Sequence, residues 1–165
     1  MLAVGAGVVT AIEAVKSASG ISCANLTEWN ALTLQLDPLP SSNSAASASG
    51  GDDVGGDEAT MATKRLVDGS YNADYVHIQA GSACVEVGAR VVAGQQLCLS
   101  GSVGFSPEPH LHLELHHAHD PMGPSLPFAF ITTATEVARA ADGGEVAAFT
   151  PTAGRWWKST GEVVQ

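Results

Sequence analysis

A chain of 165 residues with 45% hydrophobic content holds apolar material for one modest core and little for a second. A formal charge of -10, with 7 Lys and Arg nowhere clustered, excludes nucleic acid and anionic membrane surfaces as natural partners. Eighteen glycines, only 15% charged residues and no helix-period run of leucines favour a turn-rich all-β fold, and no stretch nears the ~18 apolar residues that span a bilayer.

In chain order, Ala3 to Ile12 predicts a short strand, a glycine turn and a second strand starting at Val8. Leu2 to Ile12 is apolar enough for a signal h-region, but no Lys or Arg precedes it and Glu13 follows directly, so strands are the expectation. A chain opening in this way opens inside a sheet, as a fragment of a longer protein would. Asn30 to Leu36 alternates with period two and predicts a strand with Leu32, Leu34 and Leu36 on one buried face. Residues 1–36 are thus expected to be the N-terminal strands of the domain.

From 37 to 67 the composition shifts to Pro, Ser, Ala, Gly and Asp, too poor in large apolar side chains to fold, which predicts a flexible, disordered insertion on a hairpin tip. Asp68-Gly69-Ser70 then signals a turn, and Tyr71 to Ile78 reads as the returning strand. Val85 to Gln95 carries two valine pairs about a glycine turn and leads into Gln96 to Gly101, after which a Gly- and Pro-rich loop ends on His110. The core is expected over 68–130, with Pro127 to Phe130 closing the sheet. The tail, 131–165, is expected to form two helical turns over Thr135 to Ala141 and to pack Trp156 and Trp157 on the domain. Cys23, Cys84 and Cys98 form no Cys-x-x-Cys pair; unpaired core thiols are expected, with a Cys84–Cys98 bridge as the alternative.

His110-Leu111-His112-Leu113-Glu114-Leu115-His116 alternates strictly, predicting three leucines in a core and three histidines with Glu114 on the other face. Alternate residues on one strand stand about 7 Å apart, close enough for neighbouring imidazoles to share a metal site or its bound water. The order of words around this row is specific: Tyr75-x-His77, a Val-x-x-Gly-x-x-Val-x-x-Gly-Gln run, Leu99-Ser100-Gly101-x-x-Gly104, then Pro109 to Glu114.

In that order and spacing the chain resembles the lysostaphin and LytM-type zinc metalloendopeptidases, which cut peptide cross-links in peptidoglycan. The resemblance runs from about Val4 to Phe130 and is strongest from Tyr75 to Glu114. It implies antiparallel strands in a duplicated hybrid motif, a bound Zn2+, a peptide or peptidoglycan substrate, and an extracellular or cell-envelope location. Carried over by position, His112 matches a zinc ligand, while His77 and His110 match the two catalytic histidines beside the zinc-bound water. The resemblance offers Glu114 no such role, and it reads as a sheet-surface carboxylate.

The family's other two zinc ligands come from a His-x-x-x-Asp stretch upstream of the first strands, and no histidine here precedes His77. The first expectation is therefore a piece of a longer enzyme, and the second a noncatalytic, degenerate peptidase-like module for binding or regulation. The third is a site rebuilt from His116, His117, His119 and Asp120, against which an exposed loop cluster is the expectation. Biotinyl and lipoyl carrier domains share such glycine-turn strands, but no lysine stands on a hairpin here.

Overall fold

The computed structural model describes residues 1–38, 70–131 and 148–151. Within the unit formed by Met1–Asp37 and Ser70–Leu126, five strands build one antiparallel sheet. They are β1 (Gly7–Glu13), β2 (Ala31–Leu36), β3 (Tyr71–Val76), β4 (Arg90–Val91) and β5 (His112–His117), in the order β4-β1-β2-β3-β5. Among the described residues there is no α-helix and only one 3-10 turn, Cys23–Asn25, so the all-β expectation is borne out.

Register follows from the period-two pattern. Leu32 faces Tyr75 and Ile12, Leu34 faces Ala73 and Val9, and Leu36 faces Tyr71, so apolar partners stack on one side of the sheet. Leu32, Leu34, Val9, Ala73 and Tyr75 are fully buried there, and Ile78 and Leu97 complete the core. The three strands close tightly at Gly7, where a Cβ would lie 2.1 Å from the Gln35 carbonyl oxygen. Asn30, also fully buried, fastens the chain before β2: Oδ1 accepts from Lys16 N at 3.0 Å and Nδ2 donates to Lys16 O at 3.0 Å.

Several expectations are corrected. The first residues do not form a strand of their own beside β1; Leu2 bridges Gln96, and Ala3 pairs with Gln95 and Gly94, because the turn before Gly7 carries them toward that loop. The leucines of the histidine row are not one buried face. Leu115 is buried, but Leu111 lies before the start of β5, outside its ladder, and is 48% exposed. Of the cysteines, all unpaired, only Cys98 is buried, and Cys23 and Cys84 are exposed.

Phe130 does not close the five-stranded sheet. It belongs to a second unit, Pro38–Gly69 with Pro127–Gln165, where β6 (Phe130–Ile131) pairs with β7 (Ala148–Phe149). Most of the expected insertion, the helical turns over Thr135 to Ala141 and the Trp156–Trp157 pair lie outside the described residues.

Candidate metal centre

β3 and β5 lie side by side, with Val76 opposite His112, Asp74 opposite Glu114 and Asn72 opposite His116. Cross-strand partners share a face, so His112, Glu114 and His116 stand on the side away from the Leu32–Tyr75 core. By alternation His77 would follow Tyr75 into that core. It does not, because His77 adopts a left-handed φ of 61° just beyond the end of β3, and its ring lies 5.5 Å from that of His112 and 5.0 Å from that of His110.

The loop from Leu99 to His110 brings the third ring in. Gln79 N donates to Leu99 O, Ser100 bridges Ile78, and His110 N donates to Gly101 O, so the loop runs as a ribbon between His77 and His110. Gly101 is required there, since a Cβ would sit 2.7 Å from Gln79 N and 2.9 Å from His77 O. One nitrogen from each of His77, His110 and His112 lies within 4.8 Å of the others, and among the described residues no other group of three His, Cys, Asp or Glu side chains is so placed. His77 is buried beneath the two more open rings.

Hydrogen bonds choose the tautomers. A carbonyl oxygen only accepts, so the contact of His77 Nδ1 with Val103 O at 2.7 Å requires Nδ1–H and leaves the lone pair on Nε2. His110 is set likewise: its Nδ1 donates to Glu108 O at 2.9 Å, while the buried Ser106 hydroxyl donates to the same carbonyl at 2.8 Å. His112 is reversed, its Nε2 bonding to Glu114 Oε1 and its Nδ1 left as the bare nitrogen. Each ring thus leaves one nitrogen without a hydrogen-bond partner on the cluster, and imidazole nitrogens suit a borderline-soft ion such as zinc.

Behind His112 the face continues in a hydrogen-bonded row. Glu114 Oε2 bonds to His116 Nε2 at 2.9 Å, and Thr33 Oγ1 donates to Asp74 Oδ1 at 2.5 Å. His116 holds the Glu114 carboxyl below its ordinary range, with His112 adding to the effect. In return Glu114 raises the His116 imidazole, which Asp74 raises further. His116 is 7% exposed and its Nδ1 is buried without a hydrogen-bond partner, the Gly123 carbonyl approaching it without hydrogen-bond geometry.

The site residues read from the sequence thus meet in one place, although the path of His77 is not legible in its strand pattern. Glu114 is not a plain surface carboxylate but a bridge between two histidines; its i, i+2 spacing from both was the available signal. The exposed-cluster expectation for 116–120 is met only in part, since His116 is buried on the face of Glu114 while the His117 ring lies tilted against Tyr71 at 5.3 Å and against His119 at 5.1 Å. Ser106, Val103 and the Glu108 carbonyl, which orient the rings, carried no sequence signal.

No curated protein matches the chain. Among solved structures, a zinc-containing peptidase from Vibrio cholerae is similar at 20% identity and a TM-score of 0.38, over 74% of this chain and 26% of that one, so the chain spans about a quarter of that protein's length. Residues 53–124 match the family model of Peptidase family M23, a segment that holds His77, His110, His112, Glu114 and His116 but neither β1 nor β2. The resemblance carried by the motifs is borne out over residues 53–124, the segment that is similar to Peptidase family M23.

Proposed function

We propose that this chain is the histidine-bearing part of a zinc endopeptidase that hydrolyses peptide bonds in peptidoglycan cross-links or similar glycine-rich peptides. The observation that carries the reading is the meeting of His77, His110 and His112, each with one nitrogen committed to a fixed partner and one left bare. His112 is the zinc ligand contributed by this strand. When bound, zinc supplies a Lewis acid and lowers the pKa of its water to about 7.

The chain's own residues then handle protons and charge. His77, with Nδ1–H held by Val103 O, accepts a proton at Nε2, and as an imidazolium it donates from that atom to the oxyanion of the tetrahedral intermediate. His110, fixed through Glu108 O at the more open end of the cluster, takes the proton of the attacking water at its bare Nε2 and passes it from that atom to the departing amine. The duplicated hybrid arrangement, the insertion over 37–67 and the tail over 131–165 complete the reading of the domain.

Zinc content measured on the full chain beside His112→Ala, His77→Ala and His110→Ala tests the assignment. Because His112 is the one zinc ligand of the family pattern found in this chain, the expected result is weak zinc uptake, lost in His112→Ala and kept in the other two, which instead lose hydrolysis of a glycine-rich peptide at saturating zinc. Loss of zinc in all three would make the rings a three-histidine ligand set. Absence of both zinc and hydrolysis from the unaltered chain would leave a binding module.

A further inference from the structure

Both oxygens of Glu114 are spent on imidazoles: Oε1 on Nε2 of His112, and Oε2 on Nε2 of His116 at 2.9 Å. A carboxylate only accepts, so each Nε2 carries the hydrogen. For His112 the consequence is specific, because Nδ1 becomes the nitrogen with a free lone pair, and the ring cannot turn over without losing its carboxylate partner. His116 closes the far side of the row from a position 7% exposed, where β3 and its own strand leave it little room to move.

The arrangement has a cost that a surface glutamate would not bear. Glu114 stands directly opposite Asp74, and two carboxylates at one cross-strand position repel. The neighbours offset this: Thr33 takes Asp74, and the two imidazoles take Glu114. A carboxylate that orients a histidine through its distal N–H raises the basicity of the opposite nitrogen and narrows its direction, the general means by which a ligand beyond the first sphere tunes a metal site.

We propose that Glu114, clamped from behind by the buried His116, is a positioning residue that fixes His112 as the Nε2–H tautomer and presents its Nδ1 to His77 and His110. Its functional meaning rests on the reading of His112 as a zinc ligand; the hold on the ring itself does not.

The test uses the full chain, metal-free, at a pH where the imidazoles are neutral. Long-range 15N–1H NMR reads the His112 tautomer in wild type, Glu114→Ala, Glu114→Gln, His116→Ala and His116→Gln. The expected result is the Nε2–H tautomer in wild type and a mixture of tautomers in Glu114→Ala. Glu114→Gln, which keeps the side-chain volume should the alanine variant fail to fold, gives a partial shift because its amide oxygen serves one ring only. His116→Ala loosens the ring, and His116→Gln restores it through an amide N–H that reaches Oε2. A wild-type Nδ1–H tautomer, or a His112 signal unmoved in both Glu114 variants, would overturn the proposal.

Zinc affinity on the same samples is expected to fall about 10- to 100-fold in Glu114→Ala. No zinc uptake by wild type, together with the expected tautomers, would overturn the zinc assignment of His112 and leave the hold of Glu114 on the ring established.

Discussion

The His77 ring reaches His112, 5.5 Å away, through one backbone torsion: His77 stands at φ 61°, the left-handed region, at the point where β3 ends. A non-glycine residue held there stores about 1–3 kcal/mol, and the hydrogen bond to Val103 O with burial of the ring offsets it. Side chains differ in their tolerance of this conformation, asparagine adopting it readily and a β-branched residue hardly at all. His77→Asn is therefore expected to lose only the ring's burial and its bond to Val103, and His77→Val, which also strains the torsion, to be about 1–2 kcal/mol less stable than His77→Asn by urea midpoints. Equal losses in the two variants would show that the torsion is not what distinguishes this position.

Gly101 sits where the loop to His110 crosses the chain just after His77. A methyl group there would meet backbone atoms of Gln79 and His77 at 2.7 to 2.9 Å, none of them the yielding tip of a side chain. Gly101→Ala is expected to cost about 1–3 kcal/mol by overpacking and to separate His77 from His110. Denaturant midpoints give the first effect. The second is read as weakened zinc uptake, and a variant with unchanged stability and zinc affinity would refute both.

How much of this was legible in the sequence divides along physical lines. The β2 leucines and the pairing of β2 with β3 follow from period-two alternation, because a half-buried sheet leaves no other register that hides Leu32 and Leu34. The nearness of His110 and His112 follows from the same rule. His77 is different: its alternation pointed to the core, and only a backbone torsion that histidine does not advertise turned it to the other face. The Phe130 strand was legible as a strand but not in its partner, since two residues of ladder carry no long-range address. Glu114 was visible on the correct face, yet its bridging role depends on the rotamers of both neighbours.

Asn30 gave no sequence signal either, although its amide substitutes for a missing strand partner by pairing with both backbone groups of Lys16. Being fully buried, the site has no water to replace it. Asn30→Ala would strand the N–H and carbonyl of Lys16 and is expected to cost about 2–4 kcal/mol in urea denaturation. Asn30→Asp keeps the shape and the acceptor but turns a second acceptor toward the Lys16 carbonyl, so its loss should be larger at neutral pH and shrink as the pH falls and the carboxyl gains a proton. A loss below about 0.5 kcal/mol in Asn30→Ala would mean that the segment before β2 is held by something else.

Tyr75 lies one residue before Val76 in β3, fully buried, and its hydroxyl accepts the Val4 N–H at 2.8 Å. Burial pushes the phenol up to about 12 from an ordinary 10.0, the Val4 bond opposing the rise without cancelling it. The folded state thus prefers the neutral phenol. The stabilisation is fully present below the unfolded value of 10.0 and is lost as the pH rises through about 12. A rise of that size bounds the loss at about 3 kcal/mol. Tyr75→Phe removes the titrating group and the partner of Val4 together. It is expected to be about 1 kcal/mol less stable at neutral pH, yet to show a shallower decline above pH 10 than wild type. Urea midpoints of the two proteins across that alkaline range decide it by difference, since lysine titration affects both alike. Parallel curves would mean that Tyr75 is not the group that ionises as the fold is lost.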